Sequence, residues 1–216
     1  MAPIKPKVYV EILRPFGPLI AKAKIPEKIL NELNNYVDKI IIDEKKSKDQ
    51  DFGKYLAGNV TQEFLLDQKF VKNSGWFQFL ADCIGAWINS SMNLKITKLN
   101  IIESWIVRQF ANEYNPVHWH SGHVSGAGFL KVPQNLGKTF QDQKKNNSNG
   151  KLELIHGSRA FLSTAKYTIE PKVGDFYFFP HYLMHHVYPF SGNVEERRSI
   201  SFNAFIDKKI FDVFGA

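Results

Sequence analysis

A chain of 216 residues is long enough for one domain with its own core, and a composition 44% hydrophobic and 14% aromatic excludes disorder. No apolar run reaches the roughly 20 residues of a membrane span, and the start of the chain lacks the apolar stretch of a secretory leader; with Cys83 the single cysteine, the sequence reads as a soluble protein of the reducing cytoplasm. The net charge of +7 comes from lysines scattered over termini, helix faces and loops, so it does not favour nucleic acid, although the same field would serve a small dianion.

Residues 7–13 mix Val, Tyr and Ile with polar residues and predict a strand, stopped by Pro15 and Pro18. Pro26 suits a first helical position, and Ile29, Leu30, Leu33, Tyr36, Val37, Ile40 and Ile41 then follow the spacing of an amphipathic helix. Residues 43–51 contain no apolar side chain and predict a solvated loop. A second helix is predicted over 75–92, with Trp76, Phe79, Leu80, Cys83, Ile84, Trp87 and Ile88 inward and Cys83 a buried, inert thiol. After Lys95 the helical period disappears. Short runs rich in Val, Ile, Phe and Tyr predict strands at 100–110, 117–120, 126–132, 152–155, 167–170, 175–179, 186–188 and 198–206. Eight such strands point to a closed or double-sheet antiparallel structure, with a polar, flexible insert at 138–151. The chain thus reads as one domain, 1–216, mainly β with flanking helices: residues 1–95 supply a strand and helices that buttress one face of the β core at 96–207.

All seven histidines fall between His118 and His186. Alternate strand residues share a face, so in Val117-His118-Trp119-His120 both imidazoles point one way, and two so placed can hold one cation at about 2.0–2.2 Å each. The run from Phe178 to Val187 adds His181, His185 and His186, from which a neighbouring strand can bring a third ligand. Further on, Arg197, Ser199, Ser201 and Asn203 alternate onto one strand face, with Arg198, Ile200 and Phe202 on the other. A guanidinium beside two hydroxyls suits bidentate capture of a carboxylate.

In order, His118-x-His120, Ser125-Gly126-x-x-Phe129-Leu130, Gly150-x-Leu152, Pro171-x-x-Gly174-x-x-x-x-Phe179-Pro180, His185-x-Val187 and Arg197-x-Ser199-Ile200-Ser201-Phe202-Asn203 resemble the prolyl-hydroxylase-like Fe(II)/2-oxoglutarate oxygenases of bacteria and marine phages. The resemblance spans residues 104–206. It implies a double-stranded β-helix (jelly-roll) core and an Fe(II)- and 2-oxoglutarate-dependent dioxygenase that consumes O2 and hydroxylates a small-molecule or peptidyl substrate. By that likeness His118, His120 and His185 are the metal ligands, and Arg197 binds the distal carboxylate of 2-oxoglutarate with Ser201 assisting.

The chain departs from the pattern at two positions. His120 stands where the superfamily's facial triad has a carboxylate, and residues 115–132 offer no acidic substitute. Phe129 stands where many relatives place a tyrosine, leaving Tyr114 or Gln109 to supply that hydrogen bond. Trp119, Phe129, Phe176, Phe178, Phe179 and Tyr188 flank the motifs and are expected to wall the site against water. Two other readings compete: a cupin-like three-histidine metal protein that does not use 2-oxoglutarate, and a non-enzymatic jelly-roll binding protein.

Overall fold

The computed structural model describes residues 8–13, 17–139, 141, 143–192 and 195–212; Lys7, Pro15, Phe140 and Asp142, and the chain start read for a leader, lie outside them. In the N-terminal part, β1 (Val10–Leu13) and β2 (Ile20–Lys24) precede α1 (Glu27–Ile41). Pro26 is the N-cap of α1, one residue before the expected position, and its carbonyl accepts from Leu30 N at 2.9 Å. The inward stripe of α1 is Ile29, Leu33, Val37 and Ile40, as its period requires.

Residues 43–51 are not a plain loop. They form a short helix, α2 (Glu44–Asp49), because Asp43 caps it by accepting from Lys46 N at 3.0 Å and Glu44 pairs with Lys48 one turn on. After β3 (Gln62–Leu65) and α3 (Gln68–Asn73), α4 (Trp76–Met92) starts from Gly75, whose φ of 84° belongs to the left-handed region. Cys83 is fully buried in it, and burial pushes the thiol pKa up, which removes the reactive thiolate.

The remaining strands are β4 (Leu99–Gln109), β5 (Asn115–His118), β6 (Val124–Lys131), β7 (Leu152–Ile155), β8 (Lys166–Ile169), β9 (Asp175–Pro180), β10 (Met184–Val187) and β11 (Arg197–Ile206), followed by the short α5 (Lys208–Phe211). All pairings are antiparallel and build two sheets, β1-β2-β9-β6-β11-β4-β3 and β5-β10-β7-β8. The strand expected over 117–120 stops at His118.

The seven-stranded sheet is covered on both faces. Phe176, Phe178, Ile200 and Phe202 pack with Trp76, Phe79 and Leu80 of α4 and Leu33 and Val37 of α1 in one core. Tyr177 and Phe179, alternating with the first pair along β9, join Phe129 in a second core with Leu152 and Leu154 of the smaller sheet. Arg198 bolts α1 to the large sheet: with no exposed surface it donates to Asn34 O at 3.1 Å and pairs with Asp38 at 2.8 Å and Glu196 at 2.6 Å. Arg197, its neighbour, turns into the space between the sheets.

Candidate metal centre

His118 of β5 lies directly opposite His185 of β10 in the smaller sheet. His120, two residues beyond the end of β5, stays on the same side because its backbone N–H donates to His181 O at 3.0 Å and His181 N–H to His123 O at 3.2 Å. The ring centroids lie 5.1 Å apart for His118 and His120, 4.3 Å for His118 and His185, and 4.7 Å for His120 and His185. One ligand atom from each lies within 4.8 Å of the others.

The hydrogen bonds settle the tautomers. Nδ1 of His118 donates to Pro116 O at 2.7 Å, Nδ1 of His185 to Leu183 O at 2.9 Å, and Nδ1 of His120 to Asn203 Oδ1 at 2.7 Å. An amide oxygen only accepts, so each ring carries its proton on Nδ1 and presents a lone pair at Nε2. The Asn203 amide is oriented by its own partners, since Oδ1 also accepts from Ser125 Oγ at 2.9 Å and Nδ2 donates to Glu103 Oε1 at 2.8 Å.

Burial lowers the pKa of all three rings, His120 to about 4 and His185 well below the usual range, with neighbouring imidazoles lowering both further. Neutral rings with Nδ1 held by an acceptor and the lone pair of Nε2 left free are the ligating form. Nε2 of His120 and Nε2 of His185 face each other at 2.9 Å, two lone pairs that repel unless a cation joins them. That separation is what two metal bonds of about 2.1 Å at about 90° produce. The donor set therefore fits one divalent transition ion.

The three rings open into a cavity of about 250 Å³. Arg197 lines it from β11, 1% exposed, with Nη1 donating to Gln109 Oε1 at 3.0 Å and Nε to Gly150 O at 3.1 Å, over the ring of Phe129 at 5.1 Å. Burial lowers its pKa to about 10, so it stays charged near neutrality. Ser199 and Ser201 line the same cavity along β11. Gln109 thus contacts the guanidinium, and neither it nor Tyr114, which is 40% exposed, lines the cavity.

The expected aromatic wall needs correcting. Trp119 and Phe129 line the cavity, and Phe179 packs on His185 at 4.9 Å. Phe176 and Phe178 occupy the other face of β9, against α4, and Tyr188 lies beside His186. His186 points away from the centre to Glu153 at 3.1 Å, while His181 holds His120 through its backbone and through Nδ1.

Two carboxylates in the wall escape the sequence reading. Glu103 arrives from β4 and carries the hydrogen-bonded chain through Asn203 to His120. Glu63 arrives from β3, opposite Val107, 1% exposed; burial, and then Asp51, raise its pKa to about 7. The alternation of β4 could have flagged Glu103; a four-residue strand bounded by Gln62 offers no comparable signal for Glu63.

Residues 103–203 match the family of 2OG-Fe(II) oxygenases. No curated protein matches the chain. The fold is shared with AviO1 from Streptomyces viridochromogenes Tue57, at a TM-score of 0.56 and 14% identity over 88% of this chain and 90% of that one. A Pseudomonas putida prolyl-4-hydroxylase superposes at a TM-score of 0.51 and 14% identity, covering 85% and 91%. HygX from Streptomyces hygroscopicus, with nickel, 2-oxoglutarate and hygromycin B bound, gives 0.54 and 12%, covering 88% and 83%. The architecture expected from the sequence, a jelly-roll core flanked by helices, is the one these structures share.

Proposed function

We propose that this chain, whose residues 103–203 match the model of the 2OG-Fe(II) oxygenases, is an Fe(II)- and 2-oxoglutarate-dependent dioxygenase that hydroxylates a substrate admitted to the cavity. The observation that carries this reading is the convergence of three Nε2 lone pairs beside a buried, charged arginine in one cavity. HygX, of similar fold, is known with iron and with nickel and 2-oxoglutarate.

His118, His120 and His185 would hold the ion on one side and leave its other positions to face the cavity. Bound there, Fe(II) supplies O2 activation coupled to oxidative decarboxylation of 2-oxoglutarate to succinate, the source of the hydroxylating oxidant. The chain positions and shields. Arg197 is aligned by Gln109 and Gly150 to pair with the distal carboxylate of the keto acid, with Ser201 on the same strand face to donate a further hydrogen bond. Phe129 under the guanidinium keeps that end dry, which strengthens the ion pair. Three neutral imidazoles leave the centre one charge more positive than a ligand set with a carboxylate; Glu103, acting through Asn203, stands in as the nearby anion. The prolyl-hydroxylase resemblance favours a peptidyl substrate.

The all-imidazole ligand set also fits a cupin-like metal protein that does not use 2-oxoglutarate, and one titration separates the two. Anaerobic Fe(II) followed by 2-oxoglutarate should raise a visible metal-to-ligand charge-transfer band. Arg197→Lys should then need about 10–100-fold more keto acid with iron binding unchanged, because an ammonium cannot form the forked pair. Bound iron with no band, or a band indifferent to Arg197→Lys, overturns the cosubstrate assignment. Succinate release under O2 tests turnover itself.

A further inference from the structure

The wall of the cavity carries a carboxyl group that the dioxygenase chemistry does not use. Glu63 is 1% exposed, and its Oε2 is buried with no hydrogen-bond partner. It extends from β3 at the edge of the large sheet, in register with Val107, itself in the cavity wall. Arg197 is the only lysine or arginine among the described residues lining the cavity, and its guanidinium is engaged two strands away by Gln109 and Gly150. The loop over Glu63 brings it two glycines and a second carboxylate, and no cation: a Cβ on Gly58 would stand 3.0 Å from Oε1 and one on Gly53 3.7 Å from Oε2, while Asp51 Oδ1 accepts from the Glu63 N–H at 3.3 Å. Glu103 adds a second carboxylate to the wall, and Tyr55 and Trp119, 65% and 66% exposed, put two aromatic faces at its edge.

A buried, unpaired carboxylate is among the costlier arrangements in a protein interior, and it persists where a partner arrives from outside. Hydrophobic packing alone would have been served by an apolar residue here. We propose that Glu63 is the substrate-recognition residue of the cavity, and that the substrate carries a cation, a primary ammonium or a guanidinium, that pairs with it. The inference rests on the dioxygenase reading for the role of the cavity as reaction chamber. Exposed aromatic faces at the edge suit the same cation on its way in. Glu63 therefore selects substrate, while Arg197 at the other side selects cosubstrate, and the two opposite charges keep the two ligands in their own ends of the chamber.

The test is direct binding, read without turnover. Butylamine and agmatine serve as ammonium and guanidinium probes, with pentan-1-ol as the neutral comparison. Saturation-transfer NMR follows each on the whole chain at pH 8, with and without Zn(II) and 2-oxoglutarate. Both a preference for the cations over pentan-1-ol and a loss of at least about tenfold in Glu63→Gln are expected, since a charge-assisted pair is replaced by a neutral one. Glu63→Asp, which keeps the charge, should keep the preference and guards against a glutamine variant that does not fold. Equal binding of the alcohol, no cation binding at about 10 mM, or equal binding by wild type and Glu63→Gln overturns the assignment. The two proposals fail separately. Cation binding lost with the charge-transfer band intact removes only the subsite; a missing band with cation binding intact removes only the dioxygenase.

Discussion

Asn203 does two jobs with one amide. Its oxygen accepts from His120 and Ser125, and its nitrogen donates to Glu103, so the ring of His120 is fixed in both tautomer and direction. Asn203→Leu fills much the same space and removes both functions; metal affinity should fall about 10–100-fold, measured by competition with a chromophoric chelator. Glu63 makes a different prediction, on stability. Its folded pKa of about 7 stands above the usual 4.5, because burial disfavours the anion. Between those values the folded chain binds more protons than the unfolded one, so stability falls as pH rises from about 4.5 to about 7 and then levels off. The full interval corresponds to about 3 kcal/mol as an upper bound. In urea, Glu63→Gln should unfold later than wild type at pH 8 and together with it at pH 4; coincident midpoints at both pH values would refute this.

Strand β6 shows how a local choice serves the whole sheet. Gly126 and Gly128 leave room for the rings of β9 and β11: a Cβ on Gly126 would stand 2.5 Å from Phe176, 2.7 Å from Phe202 and 2.7 Å from the Tyr177 carbonyl. The backbone oxygen cannot yield, so Gly126→Ala should cost about 1–3 kcal/mol in urea denaturation. Elements of this kind were legible in proportion to their period. The stripes of α1 and α4 stand out because each buries one continuous face, and β11 because Ser199, Ser201 and Asn203 alternate with Ile200 and Phe202. β2 and β3 are five and four residues long, too short to show a period of their own, and become strands by pairing with β9 and β4. The histidines and Arg197 could be nominated from spacing, and the folded chain brings them around one cavity. Alternation separates Phe176 and Phe178 from Phe179 on β9 but does not say which face looks toward that cavity; the packing of α4 takes the first pair away from it. Glu63 was out of reach for a related reason: it is more than fifty residues from the nearest histidine, and only the β3–β4 register brings it in.

At the scale of the molecule, the site draws on both sheets. His118 and His185 belong to the smaller one, His120 to the connection toward β6, and Arg197, Ser201 and Asn203 to the larger. Anything that binds this constellation and not the unfolded chain stabilises the entire fold, by about 4 kcal/mol at a thousand times its Kd. Adding Zn(II) to metal-free protein should therefore raise the Tm, EDTA should reverse the rise, and His120→Ala should abolish it in differential scanning calorimetry. An ion held in this way is a rivet through two plates. Sliding one plate past the other by a single residue, about 3.4 Å, would carry Asn203 away from the ring it steadies and take His120 out of line with His185. Misassembled chains would then be revealed by what they fail to capture, and metal uptake becomes an assay of whether the two plates have met in the right alignment.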